Sequence, residues 1–344
     1  CASMGTGEKE VWYEFKNHKW ISVPKAYTLT KRMSTEFADE YLCFARLIID
    51  KVIGTTGEDR DKLEKERENL HKISQKLKQT TFKRQVMEEA KALFYDDKFM
   101  NNLDENVNLI GFENGVLDLE TIKFRDGSPD DYVSYSTKVN YKPWNKKSTD
   151  AKNILKFLQE ILPIKNVREY FLTVMSTCLS GENKEEKFYI ETGSGSNGKS
   201  KICDLVKEAL GDYYYACDVK LLTSKRNASN QASPEIAVLK GRRCCVFNEP
   251  SNGEKFNVGL LKEITGNDTK MVRGLYSSPF QLKFQAKFFL TCNDLPEVPS
   301  QDGGTWRRIR QIDFISKFAD EDEIDETKEH QYIIDRSIPK KIKK

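Results

Sequence analysis

The sequence predicts an α/β fold in which a parallel sheet with crossover helices follows a mixed α+β region. Two observations carry this. From Lys187 onward, short apolar runs alternate with helical stretches and Gly/Asn/Pro turns: residues 188–191, a helix over 199–210, then 243–247 and 287–291. Before about residue 145 the texture differs, with aromatic/polar alternation, charged helical stripes and a tight Asn-Gly hairpin.

Size and composition narrow the possibilities. A chain of 344 residues calls for two or three domains. With 38% hydrophobic and 32% charged residues and a mean hydropathy of −0.64, the expected protein is soluble, and no apolar run reaches a membrane span. The formal net charge of +3 and pI near 8.3 neither demand nor exclude nucleic acid. Eight cysteines and three histidines form no CxxC pair, so zinc-ligand spacing is absent. Cys244 and Cys245, adjacent in an apolar run, read as two small core residues of an intracellular protein rather than a disulfide. A start at Cys1 and a stop in the basic run 340–344 lead us to expect a piece of something longer.

The elements follow in order. Residues 11–15 and 20–23 alternate aromatic and polar types around Lys16-Asn17-His18-Lys19, the pattern of a β-hairpin. Helical spacing runs from Ser34 to Val52, through Phe37, Tyr41, Phe44, Leu47 and Ile48. A second helix or helix pair spans about 59–94 on a stripe of Leu63, Leu70, Ile73 and Leu77, and its charges read as a solvated face or a partner-binding segment. Asn114-Gly115 between two apolar runs marks a hairpin over 109–119. The polar stretch 143–148 gives a boundary near 145, with helices expected at 149–161 and 166–180.

The strongest chemical signal is Gly193-Ser194-Gly195-Ser196-Asn197-Gly198-Lys199-Ser200, which satisfies G-x-x-x-x-G-K-[ST] directly after a strand and at the opening of a helix. Its glycines let backbone N–H groups converge on phosphate oxygens, and the helix N-terminus adds partial positive charge. Lys199 reaches the outer phosphates and the Ser200 hydroxyl can ligate Mg²⁺. Such a site also needs an acid at the end of a neighbouring buried strand. The run 242–250 provides one, ending in Asn248-Glu249, so Glu249 is the candidate for polarising the attacking water and, with Ser200, for holding Mg²⁺, with Asn248 where many ATPases carry a first acid. Asn293 closes a third buried strand, and its amide can orient water at the γ-phosphate or simply form a turn.

Taken in order, the GxxxNGKS loop, the strand ending in Glu249-Pro250, the segment 264–268, Thr291-Cys292-Asn293 and Trp306-Arg307-Arg308-Ile309 resemble superfamily 3 helicases. The likeness is to the helicase portion of poxvirus-type primase-helicases. It extends upstream through 113–119, which looks like a helicase-associated domain. The resemblance implies an AAA+-like P-loop NTPase at 146–318, a helicase-associated α+β domain at 1–145 and the start of a truncated C-terminal segment at 319–344. It further implies ATP and Mg²⁺ as cofactors, a hexameric ring on single-stranded and fork DNA, a primase on the same full-length chain, and work in the host cytoplasm during viral replication.

By the same likeness, Arg307 or Arg308 serves as an arginine finger in the neighbouring subunit's site. A hairpin over 269–284 would place Lys270, Arg273 and Tyr276 on the DNA strand, unless Tyr276 faces the core. The basic stretches 220–226 and 240–243 face DNA, a neighbouring subunit or solvent. Two rivals stay open: a P-loop kinase or other enzyme acting on a small molecule, and a ring scaffold that ATP only stabilises.

Overall fold

The computed structural model describes residues 2–6, 9–223, 233–249, 255–274, 279–299, 302–325 and 327–343. The chain forms two compact units. One comprises residues 2–15 and 20–100, the other residues 16–19 and 101–343.

The first unit opens with an antiparallel three-stranded sheet, β1 (Ala2–Thr6), β2 (Lys9–Lys16) and β3 (Lys19–Val23). The hairpin expected from residues 11–23 is therefore present, and a strand ahead of it extends the sheet. Helix α1 (Tyr27–Arg32) runs through one π turn into α2 (Ala38–Ile53), so the helix begins earlier than its apolar spacing indicated. The charged stretch resolves into a pair, α3 (Glu58–Leu77) and α4 (Thr80–Leu93). Leu77 is buried and Leu63, Leu70 and Ile73 half-buried, while Arg60–Glu64 and Lys72–Glu68 pair along the wet face.

A short turn of helix, α5 (Phe99–Asn102), leads to the antiparallel strands β4 (Leu109–Phe112), β5 (Gly115–Asp118) and β6 (Lys123–Arg125), joined first by the Asn114-Gly115 turn. The compact units thus part near residue 100 and not at 145. Long-range polar contacts explain the difference. The buried Arg243 guanidinium donates to the carbonyls of Asn106, Val107 and Leu109 at 3.0–3.2 Å, and the Gly111 N–H donates to the Tyr213 hydroxyl at 2.8 Å. Each group would be left unsatisfied if the two stretches separated.

Helices α6 (Thr149–Ile161) and α7 (Lys165–Thr177) precede the main sheet. Along the chain follow β7 (Phe188–Thr192), α8 (Lys199–Leu210), β8 (Tyr214–Cys217), α9 (Lys220–Thr223), α10 (Pro234–Ala237), β9 (Cys244–Phe247) and α11 (Val258–Thr265). The antiparallel pair β10 (Lys270–Val272) and β11 (Phe280–Leu282) comes next, then β12 (Lys287–Thr291), α12 (Gly303–Trp306) and β13 (Ile309–Asp313). Five strands form one wholly parallel sheet in the order β13-β7-β12-β9-β8.

Both faces of this sheet are covered, as a parallel sheet requires. Phe188, Ile190, Cys245, Phe247, Phe288 and Leu290 pack with Leu260, Leu261 and Ile264 of α11 on one side. Tyr189, Cys244, Val246 and Phe289 pack with Leu158, Phe171 and Ile202 of α6, α7 and α8 on the other. Cys244 and Cys245 are both buried, and because side chains alternate along a strand they enter opposite cores.

The chain then forms β14 (Lys317–Ala319), β15 (Gln331–Ile333) and α13 (Ile338–Ile342), with β14 and β15 paired in parallel. This segment, which includes the expected start of a truncated C-terminal segment at 319–344, packs in the second unit. The Phe318 N–H donates to the Ser196 carbonyl at 2.7 Å and the Ser316 hydroxyl to the Glu160 carbonyl at 2.6 Å.

Candidate nucleotide site

Strand order brings together residues that are far apart in sequence. The Gly-rich loop leaves the C-terminal end of β7, Glu249 lies just beyond β9, and Asn293 lies beyond β12, which pairs with both. All three therefore stand at the carboxyl edge of one sheet, where parallel α/β sheets bind ligands.

The loop needs its glycines. Gly195 and Gly198 have φ of 82° and 87°, and Ser196 between them takes 47°. A Cβ at Gly198 would also stand 2.7 Å from Ile161 Cγ1. Repeated left-handed positions turn successive amides inward into an anion-binding concavity that ends at the N-terminus of α8. Asn197 is buried and acts within this scaffold, donating from Nδ2 to the Phe314 carbonyl at 3.2 Å. Ser194 and Ser200 are exposed, leaving the Ser200 hydroxyl available to a metal ion.

Lys199 is buried, and its Nζ donates to the Gly193 carbonyl at 2.6 Å, curling over the loop. Burial lowers its pKa, against the opposing fields of Cys292, Glu249 and Glu191. An anion offering charged oxygens competes well with one neutral carbonyl for this ammonium.

Glu249 is exposed and fixed by Asn293, which donates to both carboxylate oxygens. The carboxylate is thereby oriented from the neighbouring strand. Asn248 is also exposed.

The two arginines are not equivalent. Arg308 donates to Glu186 Oε2 at 2.9 Å and to the Gly304 carbonyl at 2.9 Å, and its side chain is 12% exposed. The Arg307 side chain is 66% exposed, 3.8 Å from the same carboxylate.

On the hairpin, Arg273 is exposed, whereas the Lys270 ammonium pairs with Glu263 and its side chain is 22% exposed. The expectation that Lys270 offers its charge to DNA is therefore revised, because the charge is already committed inside the fold. Tyr276 lies outside the described residues. The 240–243 cluster is likewise engaged: Lys240 pairs with Glu105 at 3.3 Å, Arg242 stacks 4.5 Å over Tyr135, and Arg243 is buried. Of the 220–226 stretch, residues 224–226 are outside the described residues.

Sequence reading missed the rest of the cavity wall around the loop. A cavity of about 420 Å³ is lined by Gly195–Lys201 and Asn293, by the apolar Phe157, Ile161, Phe318, Ile333, Ile334, Ile338 and Pro339, and by the charged Glu160, Asp335 and Arg336. This volume suits a small organic ligand, and the apolar wall suits a flat ring. Ile333 and Ile334 are exposed β-branched residues at its rim, a signal hidden in a segment without a motif. Reading also missed Glu191, a fully buried carboxyl on β7 whose pKa burial pushes up to about 8, with Oε2 lacking a hydrogen-bond partner among the described residues.

The sheet order, the loop between β7 and α8 and the strand-end carboxylate define the P-loop NTPase fold. Residues 4–163 match the family described as D5 N terminal like, and residues 192–308 match a family of unknown function, DUF5906. The chain is similar to part of the putative helicases and primases of large DNA viruses.

It is 46% identical over 318 residues to "Putative helicase L207/L206" of Acanthamoeba polyphaga mimivirus, covering 92% of this chain and 33% of that protein. A protein of African swine fever virus named as a "putative primase" is 31% identical over 271 residues, covering 76% of this chain and 28% of its own length. The chain thus spans about a third of the curated relatives it matches. Among solved structures, the C terminal region of NrS-1 matches at a TM-score of 0.42 and 17% identity, covering 60% of this chain and 44% of that one.

Proposed function

We propose that the chain hydrolyses ATP with Mg²⁺ and, as a hexameric ring, uses the cycle to move along single-stranded DNA and part the duplex at viral replication forks. The observation that carries this reading is the Asn293-held Glu249 carboxylate at the same sheet edge as the Gly193–Ser200 loop. A carboxylate fixed there can polarise a water toward the γ-phosphate, whose charge Lys199 and the loop amides offset. Ser200 and Glu249 would hold Mg²⁺, which supplies charge neutralisation at the phosphates.

The nucleotide's base would enter the apolar slot between Phe157 and Ile334. Arg307, the more exposed of the pair, is assigned the role of arginine finger in the next subunit, with Arg308 as its support. Arg273 and Tyr276 are assigned to the DNA strand, and a primase would accompany this part on the longer chain in the host cytoplasm. The test is ATP turnover with and without single-stranded DNA, together with strand separation of a forked duplex. Turnover that ignores DNA and no unwinding by assembled rings would exclude the reading and favour a small-molecule enzyme.

A further inference from the structure

Helix α11 carries two adjacent residues of opposite charge, and each is committed to a different element. Lys262 Nζ donates to Asp302 Oδ2 at 2.5 Å. Asp302 caps α12 by accepting from the Thr305 N–H at 3.2 Å and hydroxyl at 2.9 Å, and α12 runs directly into Arg307. Glu263 pairs instead with Lys270, the first residue of the β10–β11 hairpin. Neighbours on a helix point about 100° apart, so consecutive residues reach two separate elements.

The helix between them is well anchored. Leu260, Leu261, Ile264 and Thr265 are buried, and Asn257 caps the N-terminus by accepting from the Leu260 N–H at 3.1 Å. Its C-terminal end is held by Asn183, whose Nδ2 donates to the Thr265 carbonyl at 3.3 Å. The loop that begins at Asn183 also grips the arginines, since Glu186 holds Arg308 and Lys187 Nζ donates to the Arg307 carbonyl at 2.9 Å. The arginine turn is thus tied to α11 on one side through Asp302 and α12, and on the other through residues 183–187.

We infer that α11 is the common mount of the hairpin and the arginine turn, with Lys262 and Glu263 as positioning residues that couple strand occupancy to ATP turnover. The inference rests on the proposed helicase function. Load on the hairpin reaches the helix through Glu263–Lys270 and leaves it through Lys262–Asp302, a contiguous chain of polar contacts on a rigid element.

The two sides have distinguishable signatures. Glu263→Gln should lower the stimulation of ATP turnover by an oligothymidylate about five-fold or more, leaving basal turnover unchanged. Lys262→Met should lower both basal and stimulated kcat, and Lys262→Arg should restore them. In all three the KM for ATP should stay at the wild-type value, and in the Lys262 variants the melting temperature as well, which a merely structural role would not allow. Wild-type stimulation in Glu263→Gln and Lys262→Met would overturn the inference, as would a parallel loss of KM and melting temperature. A wild-type protein that DNA does not stimulate would instead overturn the helicase reading beneath it.

Discussion

Asn293 grips both oxygens of the Glu249 carboxylate, donating its backbone N–H to Oε1 at 2.9 Å and its side-chain amide to Oε2 at 3.1 Å. The two residues follow the ends of adjacent strands, so the sheet itself sets the carboxylate's direction. Glu249→Gln keeps the size and loses the charge, and its turnover should fall about 10²-fold or more with ATP binding retained. Asn293→Ala should lower kcat about ten-fold or more by releasing the carboxylate. Quench-flow turnover beside equilibrium binding of a fluorescent ATP analogue separates these effects, and near-normal kcat in both variants would remove the pair from the chemistry.

The Lys199 ammonium meets the loop at the Gly193 carbonyl. Lys199→Ala should keep the fold and cut turnover about 10²- to 10³-fold, because the lost charge acts on the phosphates. Circular dichroism and steady-state turnover check the two halves; a folded variant with normal turnover would dismiss this loop as the phosphate site.

The arginines should divide by their burial. Arg307→Ala, at a side chain 66% exposed, should leave stability within about 0.5 kcal/mol and remove turnover while ATP still binds. Arg308→Ala strips Glu186 of its close partner and should cost about 1–3 kcal/mol. Mixing Arg307→Ala with Lys199→Ala protein should recover activity at interfaces that pair an intact loop with an intact arginine. Demonstrably mixed rings without recovery would refute a shared site.

Glu191 gives a pH signature. Its buried carboxyl titrates near about 8 in the fold against an ordinary value of 4.5. A raised acid pKa means the folded state holds the proton longer. The associated stability is complete below about pH 4.5 and is lost as pH rises through about 8. Glu191→Gln should therefore melt higher than wild type at about pH 9, by the order of a few kcal/mol, with the gap closing under acid conditions. Parallel melting curves across this range would show that Glu191 ionises freely in the fold.

The apolar slot is tested at its rim. Ile334→Asp puts a charge beside the proposed base and should raise the KM for ATP about ten-fold or more while sparing kcat. An unchanged KM would place the base elsewhere.

Local chemistry was legible in the sequence. The loop from Gly193 to Ser200 announces itself because its glycines, lysine and serine act within one turn of chain, and the Asn114-Gly115 hairpin and the alternating strands obey equally short periods. Which of Arg307 and Arg308 is held, and that Lys270 is spent on Glu263, depended on partners that no spacing rule supplies. The break near residue 100 was set by Arg243 reaching carbonyls more than 130 residues away. The C-terminal segment carries no motif, yet it walls the cavity because Phe318 hydrogen-bonds to the loop at Ser196. Sequence by itself determined the elements and the phosphate loop, where the forces act between near neighbours. Tertiary structure decided which charges remain exposed and what encloses the ligand, because strand order and burial arise only when distant segments pack together.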